Sequence, residues 1–291
     1  MSEPQGLHEL GEGIDWPDAD PVAAVRDRLT RPLDKEAARR AAQLGHLADL
    51  AEWVAGVRTT TDGPGFARIR LVVVGTTATD AVTDLAADAG IGIRVEAALP
   101  EGSAAAVAAG AAWADEEIDS GTDLFVVAVP GRSVESAIAI SVLTNTEPSK
   151  VLARGIAATD PEAWMADVVA VRDARLRCLP SREDPDALLA GIGSSALAAA
   201  AGLYIRAAAR RTPALIDGPA AAAAALVAYE SHPRAVRWWR AADLGPDPSH
   251  DITLTRLGQT PVLGIGSGLG DGLAGLLAVP VLHAAARLAA P

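Results

Sequence analysis

The sequence contains very few aromatic residues and a single cysteine. Aromatic side chains make up 3% of its 291 residues, and Cys178 carries the only thiol. A lone cysteine excludes an internal disulfide and favours a reducing, cytoplasmic setting. Because 50% of the residues are hydrophobic, the core must be built mainly from alanine, valine, leucine and isoleucine. The length suffices for one large domain or two unequal ones.

Positive charge is also scarce. The chain carries 25 basic and 37 acidic residues, which gives a net charge of -12, and Lys35 and Lys150 are the only lysines. Nucleic acids and anionic membranes are bound by clustered positive charge, so the composition argues against both as partners. The acidic first residues lack the pattern of a signal peptide, and charged residues or prolines interrupt the most apolar stretches. We therefore expect a soluble protein without a membrane span.

Short apolar runs alternate with helical stretches along most of the chain. Residues 1–20 are rich in glycine, proline and acids, which is typical of a flexible lead-in. Helical spacing of apolar residues extends from Asp34 to Val57. Five strands are predicted further on, at 69–75, 91–97, 122–131, 212–218 and 261–266, with helices between them and after the last. This alternation predicts an α/β fold whose mostly parallel sheet is flanked by helices on both faces.

Glycine-bearing turns follow three of the predicted strands, at 129–133, 215–219 and 264–272. Parallel sheets bind ligands outside the carboxyl ends of their strands. We therefore expect these three turns to form one ligand-binding rim.

The run GIGSGLGDG at 264–272 places a glycine at every second position and an acid, Asp271, before a helix. Gly270, Gly272 and Gly275 match the spacing of a dinucleotide fingerprint, but no second strand with a ribose-binding acid follows in this sequence. Two interpretations remain. The glycine backbone and helix start are typical of a phosphate site, whereas Asp271 alone is typical of a helix cap. Five alternating glycines favour a ligand loop.

Three other polar residues lie near predicted strand or helix ends. Asp217 ends a strand and precedes a helix, so it is either a helix cap, the favoured interpretation, or a site residue. Asp247 and His250 lie in a proline-bracketed turn that suits a helix start or a substrate-facing loop. The sequence has no H-E-x-x-H or C-x-x-C motif and no paired carboxylate cluster, so neither a metal nor a cofactor is predicted.

Four segments together resemble one known family. They are LGHLADLAEWVAGV, EPSKVLARGIAATDPEAWMADVVAVRDA, GLYIRAAARRTPALIDGPAAAAAALVA and GLGDGLAGLLAVPVLHAAARL. In order and spacing they are similar to the nicotinate-nucleotide–dimethylbenzimidazole phosphoribosyltransferases of cobalamin lower-ligand synthesis. The resemblance implies a homodimer with a doubly wound α/β core and a small helical subdomain formed by both chain ends. The corresponding boundaries are 21–66 for the helical segment, 67–262 for the core, and 263–291 for the glycine loop and C-terminal helix.

The resemblance also implies an activity and a set of site residues. Family members move phosphoribose from nicotinate mononucleotide to a benzimidazole. Asp271 stands where the family has a glutamate base, and Arg132 could supply the phosphate charge of an arginine that the family has at the position of Gly268. The nucleotide and the aromatic base would be bound by Gly131, Arg132, Ser133, Arg154, Gly155, Asp217, Asp247, His250, Gly266, Gly268, Gly270 and Gly272.

These site segments differ from the family pattern more than the core segments do, so two functional hypotheses stand. In the first, the protein is a phosphoribosyltransferase. In the second, it is a catalytically impaired or inactive paralogue that binds a nucleotide or a partner enzyme and regulates it. The acid retained at position 271 and the intact glycine run favour the enzyme.

Overall fold

A five-stranded sheet forms the centre of the computed structural model, which describes residues 6–30, 39, 43–58, 65–130, 134–153 and 159–290. The strands are β1 (Ile69–Val74), β2 (Gly92–Glu96), β3 (Leu124–Ala128), β4 (Ala214–Asp217) and β5 (Trp239–Ala241). Their order is β2-β1-β3-β4-β5, and every neighbouring pair is parallel. The predicted parallel sheet is confirmed. From β1 the chain first adds β2 on one side and then β3 on the other. The position between β1 and β3 is therefore the topological switch point, where open sheets bind ligands.

Helices cover both faces of the sheet. In chain order they are α1 (Leu7–Leu10), α2 (Ala19–Thr30), α3 (His46–Val57), α4 (Asp80–Asp88), α5 (Ser103–Asp119), α6 (Val134–Leu143), α7 (Pro161–Cys178), α8 (Pro185–Ile192), α9 (Ser195–Ala209), α10 (Gly218–Ser231), α11 (Pro248–Leu257) and α12 (Leu273–Ala289). Helices α4 and α12 share one face, and α5, α9 and α10 cover the other. The doubly wound architecture is thereby confirmed.

Helices α5 and α9 pack closely through alanine and glycine residues, with their backbones nearly in contact. A Cβ atom at Gly110 of α5 would overlap the carbonyl oxygen of Ala199 in α9, and one at Gly202 would overlap that of Val107. The two helices can approach this closely only because neither position carries a side chain. Between these two helices the core is therefore dense without large side chains.

The two ends of the chain meet in one group of helices. Helix α3 packs between α2 and α12. Arg26 of α2 pairs with Glu52 of α3 at 2.6 Å, and Arg28 donates to the carbonyl oxygen of Ala289 at 3.0 Å. Helix α12 also packs on β3 and β4, so it links these helices to the sheet. The boundaries 21–66, 67–262 and 263–291 stay predictions.

The first residues are packed rather than flexible. Leu7, Leu10 and Ile14 are buried, and the Leu7 amide donates to the carboxylate of Asp186 at 3.1 Å. Apolar side chains at this helical spacing fasten the segment to the core. The predicted flexible lead-in is therefore wrong for residues 7–14.

Two further expectations need correction. Helix α3 begins at His46, after Gly45 with φ +53°, so a continuous helix from Asp34 to Val57 is wrong at Gly45; residues 31–38 and 40–42 lie outside the described part. The strand expected at 261–266 is also absent. There the Val262 and Leu263 amides donate to carbonyl oxygens at the end of β5, both at 2.9 Å, before the chain turns away.

Candidate active site at the carboxyl edge of the sheet

The glycine run at 264–272 lies against the carboxyl ends of β3 and β4. A Cβ atom at Gly270 would be 3.4 Å from the Cα atom of Gly218, 3.5 Å from the carbonyl oxygen of Asp217 and 3.6 Å from that of Val129. Conversely, a Cβ atom at Gly218 would overlap the Cα atom of Gly270. Two of the predicted turns therefore meet, next to the start of the third. A Cβ atom at Gly272 would overlap the side chain of Leu71 in β1, so the end of the run also reaches the switch point between β1 and β3.

A buried carboxylate that the sequence analysis missed fixes the start of the run. Asp243 follows β5 and is 1% exposed. Its two oxygens accept hydrogen bonds from the amides of Ile265 at 2.9 Å and Ser267 at 2.6 Å. Because these amides bond to a side chain, they cannot join a strand ladder. Asp243 lies two residues beyond the end of β5. In the sequence, the only sign of this role is that an acid follows an apolar segment.

The turn after Asp243 packs against the middle of the run. A Cβ atom at Gly245 would be 2.6 Å from the carbonyl oxygen of Ser267, and one at Gly268 would be 2.8 Å from the Cδ atom of Pro246. The two segments therefore support each other through backbone contacts. The opposite side of the run faces solvent, where Ile265 and Leu269 are 58% and 60% exposed.

Asp247 and His250 hold this supporting turn. The Asp247 carboxylate caps α11, because it accepts from the Ser249 amide at 2.9 Å and from the Ser249 hydroxyl at 2.8 Å. The fully buried His250 accepts at Nδ1 from the Gly245 amide at 3.1 Å. Burial lowers the pKa of His250 to about 4, although neighbouring aspartates oppose the shift. At neutral pH the ring is therefore uncharged, with its proton on Nε2.

Asp217 links the sheet to the last helix. It stands at the N-cap position of α10 but makes no capping bond there. Instead its Oδ2 atom accepts from the Gly275 amide of α12 at 2.6 Å. The favoured cap interpretation is therefore wrong. Burial raises the pKa of Asp217 to about 7, the Gly275 amide opposes the shift, and the nearby charges of Asp271 and Asp243 add to it.

Asp271 lies at the end of the run and is partly buried. Its Oδ1 atom accepts from the Leu273 amide, the first of α12, at 3.1 Å. Among the described residues its Oδ2 atom has no hydrogen-bond donor. The start of α12 thus orients the carboxylate, and one of its oxygens stays available. This geometry agrees both with a helix cap and with a residue that faces a ligand.

The other predicted site residues divide into two sets. Within the run, Gly266 and Gly268 are exposed, whereas Gly270 and Gly272 are buried. Gly131, Arg132, Ser133, Arg154 and Gly155 lie outside the described residues.

Within the described ranges, no group of three or more His, Cys, Asp or Glu side chains is arranged to hold a metal ion. Nor does any helix there combine the length and apolar character needed to cross a bilayer.

Comparison with known proteins identifies the family. A sequence profile of the family described as "Phosphoribosyltransferase" matches residues 67–291. The nicotinate-nucleotide–dimethylbenzimidazole phosphoribosyltransferase of Mycobacterium marinum is 37% identical over 94% of this chain and 90% of its own. The protein of the same name from Mycobacterium tuberculosis is 35% identical over 94% and 89%. The chain belongs to this family.

The fold of this protein is similar to that of a solved structure. The crystal structure of CobT from Thermus thermophilus superimposes with a TM-score of 0.77 at 22% identity, covering 93% of this chain and 96% of that one. Membership in the family makes the protein a pentosyltransferase and supports the first of the two functional hypotheses.

Proposed function

We propose that this protein transfers the phosphoribosyl group of nicotinate mononucleotide to a ring nitrogen of dimethylbenzimidazole or a related base. The observation that carries the proposal is the 37% identity to a relative of that name over 94% of the chain. The partners would be a small nucleotide and an aromatic base. The net charge of -12 agrees with the absence of nucleic acid among them.

The glycine run would hold the phosphate of the nucleotide. Its amides at 265 and 267 are engaged by Asp243, so the loop is fixed before a ligand arrives. Exposed glycines let a phosphate oxygen approach the remaining amides closely. The start of α12 adds the positive end of a helix dipole. Arg132 is proposed to add a positive charge at the same ligand.

Asp271 would act as the general base. Its carboxylate is oriented by the Leu273 amide and keeps Oδ2 free within the described part of the protein. In the reaction the imidazole nitrogen forms a bond to the ribose C1 carbon, its proton passes to Asp271, and the bond from C1 to the pyridinium nitrogen breaks. The electron pair of that bond neutralises the pyridinium, so nicotinate leaves without needing a proton.

Asp217 would be a positioning residue for this base. It anchors the first turn of α12 through the Gly275 amide at 2.6 Å, and α12 in turn carries the amide that orients Asp271. A proton on Asp217 removes the repulsion between the two neighbouring carboxylates. The buried acid would therefore keep the catalytic carboxylate in place.

The test is a transfer assay with purified protein. Nicotinate mononucleotide and dimethylbenzimidazole are incubated with it, and released nicotinate is followed by chromatography. Removing a general base costs on the order of a hundredfold or more in rate, so Asp271→Asn should be nearly inactive. Asp271→Glu restores the family's glutamate and should retain turnover. Asp251→Asn changes an exposed acid on α11 and is the matched control.

Two outcomes would count against the proposal. Full activity in Asp271→Asn would show that another group takes the proton. If calorimetry detects nucleotide binding but no azole tested releases nicotinate, the inactive paralogue becomes the better description.

We also propose that the protein is a homodimer and that it lies in the cytoplasm. The homodimer is supported by the family resemblance and by exposed apolar side chains along α7, at Met165, Val169 and Leu176. Association that buries such a stripe is favourable. Light scattering after size-exclusion chromatography should give twice the chain mass of 29.7 kDa.

A further inference from the structure

A second cavity lies away from the glycine run, beside the segment that leads into β5. It has a volume of about 650 Å³. Its walls come from the 3-10 helix Pro233–Trp238, the last turns of α10 and α11, the start of α3 at His46 and Asp49, and Trp16. The 3-10 helix leads into the amino end of β5, whereas the run lies at the carboxyl ends of β3 and β4. We call it the arginine cavity, because Arg234, Arg237, Arg240 and Arg256 line it.

Three of these arginines lack an acidic partner. Elsewhere in the protein arginines are commonly paired, as Arg70 is with Glu117 at 2.6 Å. Arg256 pairs with Glu230 at 2.7 Å. Arg234, Arg237 and Arg240 have no carboxylate oxygen within 4.0 Å in the described ranges. The carboxylate of Asp49 also lines the cavity. Even so, these three arginines make the lining locally positive in a chain with a net charge of -12.

Arg240 shows the cost of this arrangement. Its guanidinium donates to the carbonyl oxygen of Trp239 at 2.9 Å and lies 4.8 Å from the centre of the Trp53 ring. Burial, with the nearby charge of Arg237, lowers the pKa of Arg240 to about 10, and Asp49 opposes the shift. Asp49 therefore offsets only part of the cost of burying this cation, which remains unfavourable. A bound anion would offset that penalty.

The arginines are not used to satisfy the helix ends around them. Carbonyl groups at the C-termini of α10 and α11 would be natural acceptors for such side chains. None of the three guanidinium groups donates to them where the chain is described. Arg237 instead lies 5.2 Å from the ring centre of Trp16, which is 53% exposed. Arg240 uses one donor on the Trp239 carbonyl oxygen, whereas the donors of Arg234 and Arg237 remain available to a ligand within the described residues.

We propose that the arginine cavity binds a small phosphorylated molecule, with the phosphate held by Arg234, Arg237 and Arg240. Guanidinium groups match the oxygens of a phosphate in pairs. The cavity volume is within the range of small-molecule sites, and the exposed face of Trp16 offers a flat group a surface to stack on. This site is separate from the proposed active site and does not depend on it.

Calorimetry on the full-length protein tests the proposal with two probes, inorganic phosphate and adenosine monophosphate. The variant combines Arg234→Gln with Arg237→Gln; both side chains are exposed, so folding should be retained. We expect this variant to weaken binding of both probes at least tenfold. Arg172→Gln removes an exposed arginine of α7 that pairs with Asp173 and should leave binding unchanged. Trp16→Ala should weaken adenosine monophosphate alone if the ring stacks.

Absence of binding by wild-type protein would overturn the proposal, as would a double variant that binds the same number of probe molecules with the same affinities as the wild type. Because phosphate could also bind at the glycine run, the transfer assay is repeated with the double variant. Unchanged nicotinate release together with lost phosphate binding supports a separate site. Parallel loss of transfer and binding would assign the anion to the active site and refute a second one. Failure of transfer in the wild type bears only on the proposed function.

Discussion

Replacing Asp217 by asparagine should change how the free energy of unfolding depends on pH. The asparagine Oδ1 atom can still accept from the Gly275 amide, so the link to α12 is kept. What the substitution removes is a buried group that titrates. The pKa of Asp217 is about 7 in the folded protein, against an ordinary value of 3.8.

The sign and size follow from these two values. Between pH 3.8 and 7 the folded protein binds a proton that the unfolded chain has released, so stability falls as pH rises. Each pH unit contributes about 1.4 kcal/mol, and the whole interval therefore about 4 kcal/mol. Above the isoelectric point near 4.8, a practical range is about pH 5.5 to 7.5, over which the loss should be about 2 kcal/mol.

His250 has the opposite effect over an overlapping range. Its pKa falls from 6.5 to about 4 on folding, so the unfolded chain binds the extra proton and stability rises with pH. In the wild type the two groups partly cancel, and the total pH dependence hides both. His250→Asn retains an acceptor for the Gly245 amide and should remove the rising contribution, about 1 kcal/mol between about pH 5.5 and 6.5, where the unfolded histidine is itself losing its proton.

Urea unfolding of wild type and both single variants at several pH values separates these contributions. The stability of Asp217→Asn relative to wild type should increase by about 2 kcal/mol from about pH 5.5 to 7.5, while that of His250→Asn should decrease up to about pH 6.5. A difference between Asp217→Asn and wild type that stays constant over this range would refute the reasoning. The buried carboxyl would then be ionised throughout.

Two further predictions concern the support of the glycine run. Asp243→Ala leaves two loop amides without their acceptor, so hydrogen exchange at 264–268 should accelerate and the Michaelis constant for nicotinate mononucleotide should rise severalfold; unchanged exchange would contradict the anchoring role. Gly275→Ala forces a Cβ atom into Val126 and should destabilise the protein by about 2 kcal/mol or more in urea. Gly264→Ala has free space around it and should cost far less; equal losses would contradict the packing argument.

The sequence predicted the sheet well because its inner strands are apolar on both faces. Residues 69–75 and 122–131 read as continuous β-branched or apolar runs, which is the pattern of buried parallel strands. Strand β5 escaped detection because it spans only Trp239–Ala241, too short to show any periodicity. Residues 261–266 are indeed apolar, but the carboxylate of Asp243 binds the Ile265 amide inside the predicted strand and the Ser267 amide directly after it.

The arrangement around the glycine run could be predicted where the signal is local and was missed where it is not; the roles of the site residues stay predictions. The glycine spacing and Asp271 are visible in nine consecutive residues, and their meeting with 215–219 follows from the rule for parallel sheets. Local rules assigned Asp217 to the helix that follows it, whereas its partner, Gly275, lies 58 residues further along the chain. Three arginines of the arginine cavity are close together in the sequence, at 234–240, but only the fold brings them beside Trp16 and the end of α11.

The two buried carboxylates, Asp243 and Asp217, fasten the chain on either side of the glycine run. A segment tethered at both ends has little freedom to swing open and shut. The entropy of ordering it is lost once, when the protein folds, and not again at each turnover. Substrate exchange should therefore proceed through the exposed side near Ile265 and Leu269, with the run acting as a fixed wall of the site instead of a moving lid.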